Sequence, residues 1–299
     1  MPLDILVPFW GDPDLLETTV RSVLAQDSDD WVLTVVDDAY PDRRPRAFVE
    51  GIDDERVRYV RHEVHLGITE NYRRCVAMAT HEHVALLGCD DVLLPSYVRT
   101  VMQAHARVPE ASIVQPGVQV IDADGTVVRP VGDLVKGWLR GRATRHGRLL
   151  RGEALAASLL QADWLYWPSL SFRREALTSI AFRDGMPIIQ DLAIVVDMVL
   201  AGGSVLVEPR TCFQYRRHAS SASSAKAFDG SRFSGERSYF ALAARLADAQ
   251  GWHRAAGAAR WHLTSRLHAL MLAPAALRAR GLSGLGALLR HALVPLRAV

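Results

Sequence analysis

Four short apolar runs, at residues 3–7, 31–36, 57–60 and 84–87, alternate with segments of three-to-four-residue periodicity. Acidic doublets, Asp37-Asp38 and Asp90-Asp91, follow two of them. Short runs with almost no polar interruption read as strands buried on both faces, and strands alternating with helices read as a parallel sheet. In such sheets ligands sit outside the carboxyl ends of the strands. The expected fold is therefore α/β, a Rossmann-like, mostly parallel sheet with helices on both faces. Pro8, Asp37, Asp38, Cys89, Asp90 and Asp91 are then the residues that face the ligand edge.

Asp12-Pro13 is a helix start, with the acid at the cap and proline in the first turn. Leu15, Leu16, Thr19, Val20, Val23 and Leu24 supply one buried stripe behind it. A further helix is expected around 71–79 and another beyond Pro95 to about 108. A strand is expected at 112–115. Runs at 118–121 and 126–128 flank Asp122-Ala123-Asp124-Gly125, a hairpin signal. The segment 132–147, rich in Gly and Arg, reads as a loop.

The 299 residues, 49% hydrophobic and 23% charged, are enough for one large domain and exclude a disordered chain. No run of about eighteen uncharged apolar residues occurs and no basic leader precedes residue 3, which predicts neither a secreted nor a membrane-spanning protein. Cys75, Cys89 and Cys212 are odd in number and form no Cys-x-x-Cys pair, so a cytoplasmic setting is expected. From Ser231 onward ten Arg stand against Glu236 and Asp248, a net of +8, which leaves −6 on residues 1–230. An acidic body argues against a nucleic-acid partner and for a basic tail that docks on a surface. Only Lys136 and Lys226 accompany the many arginines, a bias of GC-rich bacterial coding.

Acidic pairs at two strand ends have two readings. They cap turns, or they converge as hard oxygen ligands for Mg²⁺ or Mn²⁺ bridging phosphates, where one or two protein carboxylates suffice. There is no Gly-x-Gly-x-x-Gly after the first strand and no Gly-x-x-x-x-Gly-Lys-Ser/Thr anywhere. With no such phosphate cradle, a cation has to substitute for backbone amides.

These residues carry a resemblance. Val7-Pro8-Phe9-Trp10, Val35-Val36-Asp37-Asp38, Leu66-Gly67-Ile68-Thr69-Glu70-Asn71-Tyr72 and Leu86-Leu87-Gly88-Cys89-Asp90-Asp91 resemble the opening of family 2 nucleotide-sugar glycosyltransferases, which have the type A glycosyltransferase fold. Phe172-Arg173-Arg174-Glu175, Gln190-Asp191-Leu192 with Ala201-Gly202-Gly203, and Tyr215-Arg216-Arg217-His218 with Ser220 resemble the family's acceptor-side segments, in the same order. The resemblance covers about residues 3–225. It implies a nucleoside-diphosphate sugar donor, with Pro8, Phe9 and Asp38 around the base and Gly67 and Asn71 lining the nucleotide pocket. By the same resemblance Asp90 lies toward the ribose and Asp91 ligates the divalent cation. His218 completes the metal or phosphate site, and Asp191 is the catalytic base. Two positions depart from the family pattern: Gly88 stands where an acid usually begins Asp-x-Asp-Asp, and Gln190-Asp191 replaces Glu-Asp.

The chemistry is compatible with those roles. Inverting transfer needs one carboxylate to take the acceptor hydroxyl's proton and one cation to stabilise the departing diphosphate. Asp191 precedes Leu192, Val195, Val196, Val199 and Leu200, a helical stripe, so its carboxylate lies at a helix N-terminus that favours ionisation. A simple helix cap is the alternative. His62, His65, His81 and His83 lack zinc-site spacing and read as loop or surface residues, while Cys89 reads as a space-filler beside the carboxylates. Trp164-Leu165-Tyr166-Trp167-Pro168 is either an acceptor platform, offering Trp164 and Trp167 to a sugar face, or core packing.

In the tail, helices are expected over 233–272 with breaks at Gly251 and Pro274. Leu282, Leu285, Leu289, Leu293 and Leu296 then form one stripe, with Ser283, Arg290 and Arg297 elsewhere. That basic amphipathic pattern fits either peripheral contact with the inner face of a membrane, packing on the catalytic domain, or a homodimer. The expected organisation is a nucleotide-sugar part at 1–120, an acceptor part at 121–230 and a helical tail at 231–299. The expected activity is metal-dependent, inverting transfer of a sugar to a glycan, lipid-linked or small-molecule acceptor. A sugar nucleotidyltransferase is the enzyme alternative, but Phe9-Trp10-Gly11-Asp12 supplies no cationic phosphate loop. A catalytically silent partner subunit is the other, kept open by Gly88.

Overall fold

A computed structural model describes residues 1–145, 147–186, 188–218, 231–294 and 296. Ser220, Lys226 and Arg297 lie outside the described residues, as do the side chains of Leu282 and Ser283. The first half follows the expected alternation: β1 (Leu3–Phe9), α1 (Pro13–Leu24), β2 (Trp31–Asp37), α2 (Arg44–Glu50), β3 (Val57–Arg61), α3 (Ile68–Met78) and β4 (His83–Leu86). Asp12 caps α1, its Oδ1 accepting the Asp14 N–H at 2.9 Å. These strands are mutually parallel in the order β3-β2-β1-β4.

Alternate residues of each strand feed opposite faces, as the two-residue period requires. Leu3, Ile5, Val7, Leu33, Val35, Ala85 and Leu87 enter a core under α1 and the later helix α4 (Tyr97–Arg107). Leu6, Val36, Val84 and Leu86 enter a second core on the other face. That second core is roofed by α6 (Gly152–Gln161) and α8 (Gln190–Leu200).

The second half is mixed rather than mostly parallel. It contains β5 (Val92–Leu93), β6 (Ile113–Ile121), α5 (Val131–Ala143), β7 (Leu149–Arg151), β8 (Ser171–Arg173), α7 (Arg174–Thr178) and β9 (Ser204–Arg216). Strand β8 inserts antiparallel between β4 and β6. Strand β9 lies parallel to β6 and carries β5 and β7 antiparallel. Two reversals restore direction, so β1, β2, β4, β6 and β9 all end on one edge. Helix α8 runs back into β9 across a short connection, so its first turn also lies at that edge.

Three expectations are corrected here. Residues 131–143 form helix α5, not a loop. The strand expected at 112–115 and that at 118–121 are one strand, β6, whose register shifts near Gly117; the hairpin after it is a single bridge between Ile121 and Val127. Gly117 packs so tightly on the backbone of Pro209 and Arg210 that a Cβ would overlap them. In the tail, α9 (Ser231–Ala249), α10 (His253–Trp261) and α11 (Leu263–Leu293) are separated at Gly251 and His262, and Pro274 lies inside α11 instead of ending it. Gly251 turns the chain with φ +73°. Tyr239, Phe240, Ala243 and Ala247 of α9 share a buried cluster with α8, and the Tyr239 hydroxyl donates to the Ala193 carbonyl at 3.1 Å. The tail's first helix therefore packs on the catalytic body.

Candidate active site

The turn after β4 carries Gly88, Cys89, Asp90 and Asp91 to the shared edge, where the end of β9 crosses it. The Arg216 N–H donates to Asp91 Oδ1 at 2.8 Å, and the Arg216 guanidinium donates to the carbonyls of Asp90, Asp122 and Ala123 at 2.8–3.1 Å. His218, two residues on, places Nε2 2.6 Å from Asp90 Oδ2. That hydrogen bond raises the His218 pKa above the ordinary histidine value and favours the imidazolium. Asp91 is buried, and its Oδ2 has no hydrogen-bond partner among the described residues. Burial first, then the neighbouring Asp90 charge, push the Asp91 carboxyl well above the carboxylate range.

A divalent cation is compatible with this donor set. An orphaned buried carboxylate oxygen is costly as it stands, and a hard cation relieves that cost directly. Asp90 and Asp91 supply oxygen donors, as Mg²⁺ or Mn²⁺ prefers. Among the described residues no group of three or more ligating side chains is assembled. The Cys89 thiol is held protonated by burial, and its sulfur lies 3.2 Å from where a Cβ on Gly11 would stand, as a space-filler should.

At the neighbouring strand end the doublet divides its work. Asp37 ties the strand end down, accepting from the Tyr40 N–H at 2.7 Å, from Arg61 at 2.8 Å and from the Tyr59 hydroxyl. Asp38 accepts the N–H groups of Leu66 and Gly67 at 2.7 and 2.8 Å, pinning the loop before α3. Gly67 adopts φ +86° there, a conformation that favours glycine. Asn71 is buried, its amide donating to the Val36 carbonyl at 3.1 Å while its oxygen meets His62, so it anchors α3 to β2. Pro8 is part-exposed at the same strand end, whereas Phe9, expected at the base, is fully buried in the core and packs on Tyr40 with ring centroids 5.1 Å apart, because its side chain points to the covered face of β1. Trp10, 47% exposed, lies against His65 with ring centroids 3.8 Å apart.

Asp191 occupies the first turn of α8, where its Oδ1 accepts the Leu192 N–H at 2.8 Å. Gln190 beside it donates to the Thr69 hydroxyl at 2.6 Å and joins α8 to α3. Tyr215, part-buried near the end of β9, has its phenol raised by burial first, with the charges of Asp91, Asp90 and Asp191 adding to it. Tyr72, part-buried against the same core, meets Trp167 edge-on at 6.0 Å. Trp164 is fully buried, with its indole N–H donated to Ser158 at 3.0 Å, and Trp167 is 8% exposed against Phe172 and Phe182. Core packing therefore describes Trp164, which has no face open to a sugar.

Sequence reasoning singled out the segment at 215–218 but not the separate duties within it. Arg216 is the clamp, and nothing in the spacing distinguishes it from Arg217, which instead pairs with Asp133 at 2.7 Å.

The model of the family described as glycosyl transferase family 2 matches residues 4–163, more than half of the chain. The chain belongs to glycosyl transferase family 2. The matched span includes Asp38, Asp90 and Asp91, while Asp191 and His218 lie beyond it. Over 104 residues the chain is 25% identical to a protein described as a colanic acid biosynthesis glycosyl transferase, WcaA of Escherichia coli (strain K12), covering 34% of this chain and 37% of that protein. It is 29% identical over 127 residues to the uncharacterized protein y4gI of Sinorhizobium fredii, covering 42% of this chain and 14% of that one. The chain thus spans well under half the length of these curated relatives.

Solved structures extend the likeness to nearly the whole chain. S. aureus TarS 1–349 in complex with UDP-GlcNAc superposes with a TM-score of 0.66 at 13% identity, covering 98% of this chain and 82% of that one. Mannosyltransferase PcManGT from Pyrobaculum calidifontis, in complex with GDP-Man and Mn²⁺, gives 0.61 at 18% identity, with 98% and 86% covered. At these identities the likeness carries the fold, the type A glycosyltransferase fold of this family.

Proposed function

We propose that this family 2 glycosyltransferase moves a sugar, with inversion, from a nucleoside-diphosphate sugar to an acceptor hydroxyl, using a divalent cation at Asp91. The observation that supports it most is the pair of acidic centres at one sheet edge: Asp91 after β4, buried with an oxygen that has no hydrogen-bond partner among the described residues, and Asp191 in the first turn of α8. Asp91 and Asp90 would hold the cation, which supplies charge stabilisation for the departing diphosphate. His218, drawn toward its charged form by Asp90, adds a positive group where the diphosphate charge develops. Asp191 accepts the proton of the acceptor hydroxyl as its oxygen attacks the anomeric carbon and the bond to the diphosphate breaks. Asp38 fixes the loop of Leu66 and Gly67 at the base end of the donor cleft, with Pro8 beside it and Asn71 holding α3 in place behind it.

The complexes of TarS with UDP-GlcNAc and of PcManGT with GDP-Man and Mn²⁺ support a nucleotide-sugar donor and a cation. The name of WcaA supports a glycan as the acceptor class. The test is thermal unfolding of the full chain against UDP-, GDP-, dTDP- and CDP-sugars, with and without Mn²⁺, in wild type and Asp91→Ala. A ligand that binds only the folded state raises the melting temperature by mass action. The expected result is a cation-dependent rise with one nucleotide that is lost in Asp91→Ala, followed by product of inverted anomeric configuration by NMR. No rise with any donor sinks the proposal and leaves the silent partner subunit.

A further inference from the structure

A second cleft, of about 530 Å³, opens between the end of α5, β7, α6 and the first turn of α10. Arg142, Arg145, Arg151 and Arg254 line it, together with Leu139, Leu150 and Leu155. None of the four guanidiniums has a carboxylate within 4.0 Å among the described residues, Arg142 instead lying over the Trp138 ring at 5.9 Å from its centroid, whereas Arg56, Arg61, Arg73, Arg183 and Arg217 are all paired. Glu153, close by in sequence, accepts the Arg254 backbone N–H at 2.6 Å and so serves the start of α10. Like charges gathered in a concave site repel unless an anion sits among them.

The cleft is not part of the donor site. Strand β7 pairs with the beginning of β9, Leu149 opposite Leu206 and Arg151 opposite Ser204. Asp91 lies against Arg216, at the far end of the same strand. The register shift in β9 takes up three residues, so the seven β6 residues alongside, from Val114 opposite Leu206 to Ile121 opposite Arg216, measure the separation, about 23 Å at ~3.3 Å each.

What flanks the arginines narrows the ligand. Trp138, next to Leu139, is 63% exposed, and Leu134 and Val135 are exposed on the same helix. On the other side the Thr264 hydroxyl donates to the carbonyl of Gln161, a residue of the cleft wall, and its neighbours Trp261 and Leu263 are 70% and 50% exposed. Two open indoles and several aliphatic side chains beside unpaired arginines match a lipid interface, where indole rings sit at headgroup level and guanidiniums meet phosphates. A soluble polyanion would use the arginines but leave the indoles in water. Among the described residues no helix is long and apolar enough to cross a membrane, so such contact would be of the kind that lies on the surface.

We propose that this cleft docks the protein on an anionic phospholipid surface, with lipid phosphates among Arg142, Arg145, Arg151 and Arg254 and the indoles of Trp138 and Trp261 at the interface. This is independent of the sugar-transfer reading. The test is cosedimentation of the full chain with vesicles of phosphatidylcholine alone, or with about a third phosphatidylglycerol. Wild type is compared with Arg142→Ala/Arg145→Ala/Arg254→Ala. Each basic side chain near such a surface contributes about fivefold in partitioning, so the triple variant should bind acidic vesicles about a hundredfold more weakly at low salt. High salt should weaken wild type in the same direction, and Trp261→Ala should weaken it further. An unchanged thermal midpoint shows that the triple variant folds, and Arg142→Glu alone, on an exposed helix face, is the second variant. Equal binding by wild type and variants, or no binding of wild type to acidic vesicles, overturns the proposal. So does stabilisation of wild type by inorganic pyrophosphate without vesicle binding, which would assign the cleft to a soluble phosphate ligand.

Discussion

Asp91 takes up the space that a side chain at position 88 would need. A Cβ on Gly88 would overlap Asp91 Oδ2 and come within 3.1 Å of Asp90 Oδ1, so the missing acid of the family pattern has a steric counterpart. Because the obstacle is the tip of a side chain, Gly88→Ala should fold with a stability change of about 1 kcal/mol or less, yet turn the Asp91 carboxylate off the Arg216 N–H. Its cation-dependent thermal response to donor should then shrink, and a response equal to wild type would show that Asp91 does not set that site. Asp191 is tested differently: Asp191→Asn keeps the shape of the helix start and removes the base. Loss of general base catalysis should lower kcat by about 10²–10⁴ while donor-induced stabilisation persists. A kcat within tenfold of wild type would exclude Asp191 as the base. The residues of this site could be picked out from the sequence because each follows a strand or opens a helix. What could not be read was which oxygen each would face: Asp38 and Asn71 turn to backbone groups of their own fold, an outcome that depends on where the loop at 65–67 lands.

Among the elements, the clamp of β9 on the acidic turn matters most. The buried Arg216 side chain donates to three carbonyls of the acidic turn and the loop at 122–123, and the strand end carries His218 beyond it. Arg216→Ala should therefore cost about 2–4 kcal/mol, several degrees of melting temperature, and release His218 from Asp90. Arg216→Lys, with a single charged point in place of a planar fork, should recover only part of this. Thermal unfolding of the two variants decides it, and equal midpoints for wild type and Arg216→Ala would remove the clamp. The strands and helices of the first half were legible because short apolar runs alternate with segments of helical periodicity and turn chemistry bounds them. Helix α5 was not: Leu134, Val135, Trp138 and Leu139 have helical spacing, but Gly132, Gly137 and Gly141 each lower helix propensity by about 1 kcal/mol and none of its residues is buried. Pro274 misled in the opposite sense, since α11 continues through it despite the backbone donor that proline lacks. Strand β8, three residues long, leaves too short a pattern to declare its direction.

Across the whole molecule the parallel half and the ligand edge follow from the sequence, whereas the antiparallel insertion and the tail's packing depend on contacts between residues far apart in the chain. Those distant contacts bury histidines, and that sets how stability responds to pH. His105 is sealed between β8 and its own helix, its Nε2 2.8 Å from the Ser171 hydroxyl and its ring tilted against His83 with centroids 4.2 Å apart. Burial lowers its pKa from 6.5 to about 3, and lowers those of His262 and His291, in the tail helices, to about 4. Each of these groups binds a proton more readily when the chain is unfolded. Their contribution is therefore intact above pH 6.5 and is lost as pH falls from there toward 4 and then 3. His218 acts in the opposite sense, because its pKa is raised in the fold and it favours the folded state as pH falls. At the limiting slope of about 1.4 kcal/mol per pH unit for each buried group, the three should together remove about 3–4 kcal/mol between pH 7.5 and 5.5, before His218 offsets part of it. Urea unfolding at half-unit pH steps should show that fall, and His105→Gln, which retains a donor toward Ser171 but cannot titrate, should make it shallower by about one proton. A stability flat between pH 7.5 and 5.5, or a slope unchanged in His105→Gln, would mean that these imidazoles find protons or water in the folded state after all.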